Sequence, residues 1–343
     1  MNYRRLGKTD FSISEVSLGT WQVGGKWGSG FDDGNAERIL NEAIDRGINF
    51  VDTADVYEDG KSEAAVGRVV RSRSERIYTA TKCGRKISPH INEGYTPERL
   101  RGFVEDSLRN TGLDTLDLIQ LHCPPTEVYY RPEIFEEFDR LKDEGKIRNL
   151  GVSVEKVEEG LKAIEYPNVA TVQIIFNMLR RRPSDLFFDR AVSKDVGIIV
   201  RVPLASGLLS GKFDKNTSFA SGDHRNFNRD GSAFDRGETF AGMDFETGID
   251  IVEEVKKIIA ESAGELASPE QSSATEAASL AQHALRWILT FPQVSTTIPG
   301  ASKLEQLESN IKASDTRPLP EEALNKLQKL YDDKVKPIVH HRW

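Results

Sequence analysis

The chain has 343 residues, 38% hydrophobic and 29% charged, which fits a folded globular protein and excludes a disordered one. A net charge of −8 argues against nucleic acid or an anionic membrane as a general partner. No stretch approaches the roughly 20 apolar residues of a membrane helix, and the start MNYRRLGKTDFSIS has no apolar leader, so a cytoplasmic location is expected.

VSLGT (16–20) reads as a first strand. It is followed by an amphipathic helix over 35–47, with Ile39, Leu40, Ala43 and Ile44 on one side and Gly47 closing it. NFVD (49–52) is the second strand, with a helix at 62–70. ERIYTATK (75–82) leads into a helix at 96–112 that has Thr96 as N-cap, Pro97 at its first position and Gly112 after its end. LDLIQLH (116–122), IRNLGVS (147–153) and TVQIIF (171–176) are the next strands, with helices near 132–145, 155–165 and 184–197. GIIVRVPL (197–204) precedes a long irregular segment and a helix near 249–263. VSTTIPG (294–300) precedes a helix at 303–314. Extra helices are predicted at 274–289 and 321–333.

Repeated strand–helix units point to an α/β fold with a parallel sheet. Eight units without an evident linker favour one closed (β/α)8 TIM barrel spanning 1–343, with extra helices and a long loop after strand seven. That loop, 205–248, carries Phe213, Phe219, Phe227, Phe234 and Phe240, so it is predicted to be an ordered lid.

In such a barrel the active site lies at the carboxyl ends of the strands. Asp52, Lys82, His122 and Ser153 end strands two to five, and Gln173 lies on strand six. Alternation puts Gln120 on the same face as His122. Any one of these is as readily a rim residue as a functional one, but Asp52, Tyr57, Lys82 and His122 make joint chemical sense. An ammonium beside a phenol stabilises the phenolate and lowers its pKa. An aspartate holds the lysine charged, and a histidine orients a carbonyl oxygen. The set describes a proton donor for a reaction that builds negative charge on that oxygen. Competing motifs fail. No G-x-S-x-G elbow occurs, no grouping has metal spacing, and GLLSGKF (207–213) lacks the spacing and hydroxyl of a phosphate loop. GGKWGSG (24–30) has no strand–turn–helix context, and His340-His341 reads as tail. Cys83 and Cys123 read as small buried residues, the sharper alternative being a redox-sensitive pair.

LGTWQVGG (18–25), NFVDTADVY (49–57), TATK (79–82), LDLIQLH (116–122), GKIRNLGVS (145–153), VQIIFN (172–177), VPLASGLLSGK (202–212) and IPGASKLEQLESN (298–310) together resemble the aldo-keto reductase superfamily, in its order and over nearly the whole chain. The resemblance implies a barrel that binds NADP(H), or NAD(H), without a Rossmann fold and acts on a small aldehyde, ketone or alcohol. It implies catalysis by Asp52, Tyr57, Lys82 and His122, with Tyr57 as general acid and, in oxidation, base. It implies cofactor contacts at Thr20, Trp21 and Asp52, a nicotinamide carboxamide held by Ser153 and Gln173, and Arg201 where many relatives place an aromatic ring. Pro203, Leu204, Ala205, Gly207, Leu209, Gly211 and Lys212 are implied along the pyrophosphate. Gly300, Ser302, Lys303, Gln306 and Asn310 are implied around the adenosine. Trp21 and Trp27 are expected beside Tyr57 and His122 at the substrate mouth, with Tyr129 and Tyr130 as further walls. Val154 replaces a common asparagine, Ser302 a common arginine and Ser309 a common glutamate. One branch of the superfamily resembles a cofactor-binding regulatory subunit with slow turnover, which is the alternative reading.

Overall fold

The computed structural model describes residues 1–25, 30–266 and 278–343. An antiparallel hairpin comes first, β1 (Tyr3–Arg5) and β2 (Ser12–Ser14), which sequence reading did not anticipate. Eight parallel strands follow: β3 (Leu18–Gly19), β4 (Phe50–Asp52), β5 (Tyr78–Cys83), β6 (Leu116–His122), β7 (Ile147–Ser153), β8 (Val169–Ile175), β9 (Gly197–Arg201) and β10 (Val294–Thr297). They pair in chain order, and parallel bridges Val16–Thr297 and Gly19–Gly300 join the first to the last. The expected (β/α)8 barrel is therefore closed.

Helices α1 (Asp33–Asp45), α2 (Lys61–Ser72), α3 (Pro97–Thr111), α4 (Pro132–Asp143), α5 (Val157–Ala163) and α6 (Phe187–Ser193) each follow a strand. α7 (His224–Phe227) lies in the long segment after β9, and α8 (Phe245–Leu266), α9 (Leu280–Leu289), α10 (Leu304–Lys312), α11 (Glu321–Leu330) and α12 (Lys336–Val339) complete the chain. Local chemistry sets several ends. Thr96 accepts the Arg99 N–H to cap α3, and Gly112 takes the left-handed conformation after it. Ser279 and Gln282 form a capping box for α9, so the extra helix predicted from 274 starts later; residues 274–277 lie outside those described. β9 ends at Arg201, before the predicted 204, because Val202 adopts φ 50°. The 205–248 segment contains three short 3₁₀ turns besides α7 and is ordered by packing among Phe213, Phe219, Phe240 and Phe245.

A period of two organises the barrel interior. Phe50, Ala80, Leu118 and Ile199 form one buried layer with Ile298, closed below by Leu6 and Ile13 of the hairpin. Burial of each large apolar side chain there stabilises the fold by about 1.5–3 kcal/mol. Two residues further along the same strands stand Asp52, Lys82, Gln120 and Arg201. The apolar layer is thus a floor, and the next layer up is polar.

Candidate active site

Asp52 is the centre of that polar layer. Its Oδ1 accepts from Lys82 Nζ at 2.5 Å, while Oδ2 accepts from Gln120 Nε2 at 2.9 Å and Gln173 Nε2 at 2.8 Å. Gln173 also donates to Gln120 Oε1 at 3.1 Å. The Gln173 amide nitrogen is therefore committed to the carboxylate. Gln120, which parity alone singled out, completes the aspartate's coordination.

Lys82 is 1% exposed and donates to Asp52, to the Thr53 carbonyl at 2.9 Å and to Tyr57 Oη at 3.2 Å. Burial pulls its proton affinity down, but Asp52 and Tyr57 outweigh this and the net shift is upward, so the ammonium persists. Tyr57 stands on a turn after β4 and puts its ring 4.9 Å from Lys82 Nζ. Its phenol is pushed up by burial; Lys82 opposes this, and Asp52 reinforces it. Lys82 lowers the phenol as its charge led us to expect from sequence, but burial outweighs it and the net shift is upward. Lys82 presents a charge already neutralised by Asp52, so the phenolate meets an ion pair and not a bare cation.

His122 ends β6 with its ring at 85° to that of Tyr57, centroids 6.1 Å apart. Its Nδ1 is buried without a hydrogen-bond partner, and burial followed by the charges of Lys82, Arg85 and Arg201 holds the ring neutral. A neutral imidazole can present one N–H to a carbonyl oxygen. The four residues singled out from sequence thus converge on one point.

The lid meets this point from two sides. Trp21 lies 6.3 Å from the Tyr57 ring and 4.9 Å from that of His224 in α7, with Phe234 at 6.4 Å. Sequence reading missed His224, because nothing local links residue 224 to residue 21. Arg201 donates to lid residue Glu238 at 2.7 Å, to the Val154 carbonyl at 3.0 Å and to Cys123 Sγ at 3.5 Å. Cys123, Glu155 and Glu238 have ligand atoms within 4.8 Å of one another. Their cation is the Arg201 guanidinium, with Arg85 reaching Glu155 at 3.4 Å. Burial pushes Glu155 up to about 7.

The remaining expected contacts fall into two groups. Ser153 is buried at the end of β7 beside Cys123, Oγ to Sγ 3.6 Å. Thr20 is buried and donates to the Asp52 carbonyl at 3.1 Å. Pro203, Ala205 and Leu209 are buried, and the Leu209 N–H is taken by the Leu204 carbonyl, so these three pack the segment from inside. Leu204, Gly207, Gly211 and Lys212 keep exposure, with Ala205, Ser206, Gly207 and Gly211 at positive φ. Ser302, Lys303 and Leu304 line a cleft of about 570 Å³ together with Arg38, Asn35, Asp32 and Glu305. Lys303 is the N-cap of α10 and makes no side-chain cap bond, which leaves the positive helix end to the cleft. Gln306 accepts from Ser302, and Asn310 donates to the Gly300 carbonyl. Trp27 lies outside the described residues. Tyr129 is fully buried, whereas Tyr130 is 65% exposed under Lys162. His340 is no loose tail residue: it pairs with Tyr331 at 2.8 Å and Asp185 at 3.0 Å.

Comparison with known proteins shows the family. The aldo/keto reductase family model matches residues 15–332. The chain belongs to that family. An uncharacterized oxidoreductase of Bacillus subtilis, YqkF, is 31% identical over 332 residues, 96% of each chain. A putative voltage-gated potassium channel subunit beta of Schizosaccharomyces pombe is 31% identical, covering 91% of this chain and 87% of the relative. The glycerol dehydrogenase AKR11B4 from Gluconobacter oxydans superposes with a TM-score of 0.74 at 29% identity, covering 97% and 96%. The protein is thus an oxidoreductase of the aldo/keto reductase family, whose members use nicotinamide cofactors on small carbonyl compounds. No helix among the described residues is long and apolar enough to cross a membrane.

A nicotinamide dinucleotide fits the residues present. The open N-terminus of α10 beside Lys303 and Arg38 suits an anionic group. The unpartnered His122 Nδ1 leaves hydrogen-bonding capacity at the other end.

Proposed function

We propose that the protein is an NADP(H)-dependent reductase of aldehydes or ketones, or the corresponding alcohol dehydrogenase, with Tyr57 as general acid and base. The observation that carries this reading is the Lys82 ammonium, fully buried and shared between Asp52 and the Tyr57 hydroxyl. A bound reduced nicotinamide supplies the hydride. Tyr57 gives its proton to the carbonyl oxygen as the carbon is reduced, and the raised phenol pKa keeps that proton in place until then. Lys82 stabilises the phenolate that results. Asp52 keeps Lys82 charged, while Gln120 and Gln173 fix Asp52. The neutral His122 orients the carbonyl oxygen and shares the charge that develops on it. Ser153 and Gln173 are assigned to the nicotinamide, Arg201 to the ring's face, and the 203–212 and 300–310 segments to the pyrophosphate and adenosine.

Preference for NADP(H) over NAD(H) is supported by Lys303 and Arg38 at the cleft, although Ser302 stands where relatives often carry arginine. A cytoplasmic site of action is consistent with the charge and composition.

A second reading has a specific observation behind it, the 31% identity to a protein named as a channel beta subunit. The intact set of four favours catalysis. NADPH titration by fluorescence, followed by turnover across sugar aldehydes, aromatic aldehydes, dicarbonyls and polyols, tests the proposal. A fluorescence change with turnover on one class supports it. No fluorescence change removes it, and hydride transfer slower than cofactor dissociation moves the reading to the regulatory subunit.

A further inference from the structure

Arg85 has no part in the proton-donating arrangement, yet it reaches over it. It stands two residues past β5, as Glu155 does past β7, and β6 lies between these strands. Cys83 pairs with Leu121 and His122 with Ser153, so the three strands end at nearly one level. Arg85 Nη1 donates to Glu155 Oε1 at 3.4 Å. A contact between the chains leaving β5 and β7 has to cross the end of β6, where His122 and Cys123 stand. The position of Glu155 fixes that crossing on the inner side of the rim: its carboxylate lies within 4.8 Å of Cys123 Sγ and of the Glu238 carboxylate, both of which Arg201 holds.

The other guanidinium groups of this rim are occupied. Arg201 is taken by Glu238, the Val154 carbonyl and Cys123 Sγ, and Arg180 by Asp235 at 3.3 Å and the Glu155 carbonyl. Arg85 differs. A guanidinium carries five N–H donors in a planar fork, and among the described residues Arg85 uses one nitrogen, on a bond at the long limit. Its side chain keeps 22% exposure, so the stem is covered and the fork is open. Its neighbours are turned elsewhere: Lys86 to Asp59 at 3.0 Å, and His90 to Tyr95 at 2.8 Å. Glu155, which burial pushes up to about 7, competes weakly for the fork near neutral pH. A largely covered cation with one long bond is a costly arrangement unless a further anion completes it.

We propose that Arg85 is a specificity-determining residue that binds an anionic group, a carboxylate or a phosphate, on a short carbonyl substrate whose carbonyl oxygen lies at Tyr57 and His122. The inference rests on the reading of the site as a carbonyl reductase. The fork matches two oxygens of a carboxylate or phosphate at once, which a single hydroxyl does not offer. The anion displaces Glu155 from Arg85 and replaces one long bond by two. Trp21 and Phe234, packed on each other, supply an apolar surface for the carbon skeleton.

The test is NADPH oxidation with two matched pairs, succinic semialdehyde against butanal and glyceraldehyde 3-phosphate against glyceraldehyde. The readout is the ratio of kcat/KM, charged over neutral, within each pair. Wild type is expected to favour the charged member of at least one pair by about tenfold or more, the size of a charge-assisted hydrogen-bonded contact. The pair that shows it tells a carboxylate from a phosphate. Arg85→Gln loses that preference, mainly through a higher KM for the charged member. Arg85→Lys keeps part of it, since a point charge remains without the fork. Lys86→Gln, which removes the adjacent charge, keeps all of it, and this separates a specific contact from general attraction. A wild type with no preference in either pair overturns the inference, and so does a preference that survives Arg85→Gln. Preference for glyceraldehyde over its phosphate and for butanal over the acid overturns it in favour of a neutral substrate. If no carbonyl compound is turned over although NADPH binds, the reductase reading fails and the inference falls with it.

Discussion

Replacing Asp52 by asparagine separates the two halves of the buried ion pair, and the structure sets the size of the effect. Lys82 and Asp52 are each 1% exposed and bonded at 2.5 Å. Removing one partner of such a pair leaves an uncompensated buried charge, at a cost of about 3–5 kcal/mol. The carboxylate also accepts from Gln120 and Gln173, and these bonds weaken when the charge goes. The pH dependence has a definite sign. In the wild type the folded lysine pKa lies above its unfolded value, so its contribution to stability is fully present at pH 7 and is lost only as pH rises through that folded pKa. In Asp52→Asn burial acts with less opposition, and the folded pKa drops below the unfolded one. The variant is then penalised most at low and neutral pH, and the penalty shrinks toward pH 10. Urea unfolding at pH 7 and at pH 9.5 measures both. The reasoning predicts a loss of about 3–5 kcal/mol at pH 7, a smaller loss at pH 9.5, and recovery of most of it in Asp52→Asn/Lys82→Met. A variant within about 1 kcal/mol of wild type at pH 7 refutes it, as does a double variant no better than the single.

The C-terminal Trp343 is 2% exposed, lies 4.0 Å beneath Arg180, and fills the space that a Cβ on Gly237 or Gly242 would occupy, 2.9 and 2.5 Å away. Trp343→Ala removes about 3–5 kcal/mol of local packing, and limited proteolysis within 205–248 then speeds by at least about tenfold; unchanged cleavage counts against a packed latch. Cys83 and Cys123 are both buried, and burial pushes the first thiol well up and the second up to about 12. Neither is expected to react with a disulfide reagent before unfolding, nor to change activity after peroxide, as thiol counting on native and denatured protein will check.

The barrel was legible because the alternation of 3.6-residue and 2-residue periods repeats eight times, and the floor-then-polar layering follows from strand parity at Phe50/Asp52, Ala80/Lys82 and Leu118/Gln120. The three-residue strands of the N-terminal hairpin were not, because Tyr3–Arg5 carries two arginines and no alternation long enough to register. Arg4 in fact spans to the Leu289 and Val294 carbonyls, a partnership of distant residues that no local pattern encodes. At the site, residue types at strand ends pointed to Asp52, Lys82 and His122. What sequence could not supply was the company they keep: the amides of Gln120 and Gln173 on Asp52, Glu238 of the lid on Arg201, and His224 against Trp21. It also could not reveal that burial outweighs Lys82 at Tyr57, since that depends on how completely Asp52 neutralises the lysine.

The central claim is that Tyr57 moves the proton. Single-turnover hydride transfer from NADPH to a good carbonyl substrate, measured by stopped flow in wild type and Tyr57→Phe at matched cofactor saturation, tests it most directly. Loss of at least about a hundredfold in the transfer rate, with NADPH affinity retained, is the predicted result. Transfer at near the wild-type rate by a cofactor-saturated Tyr57→Phe enzyme contradicts it.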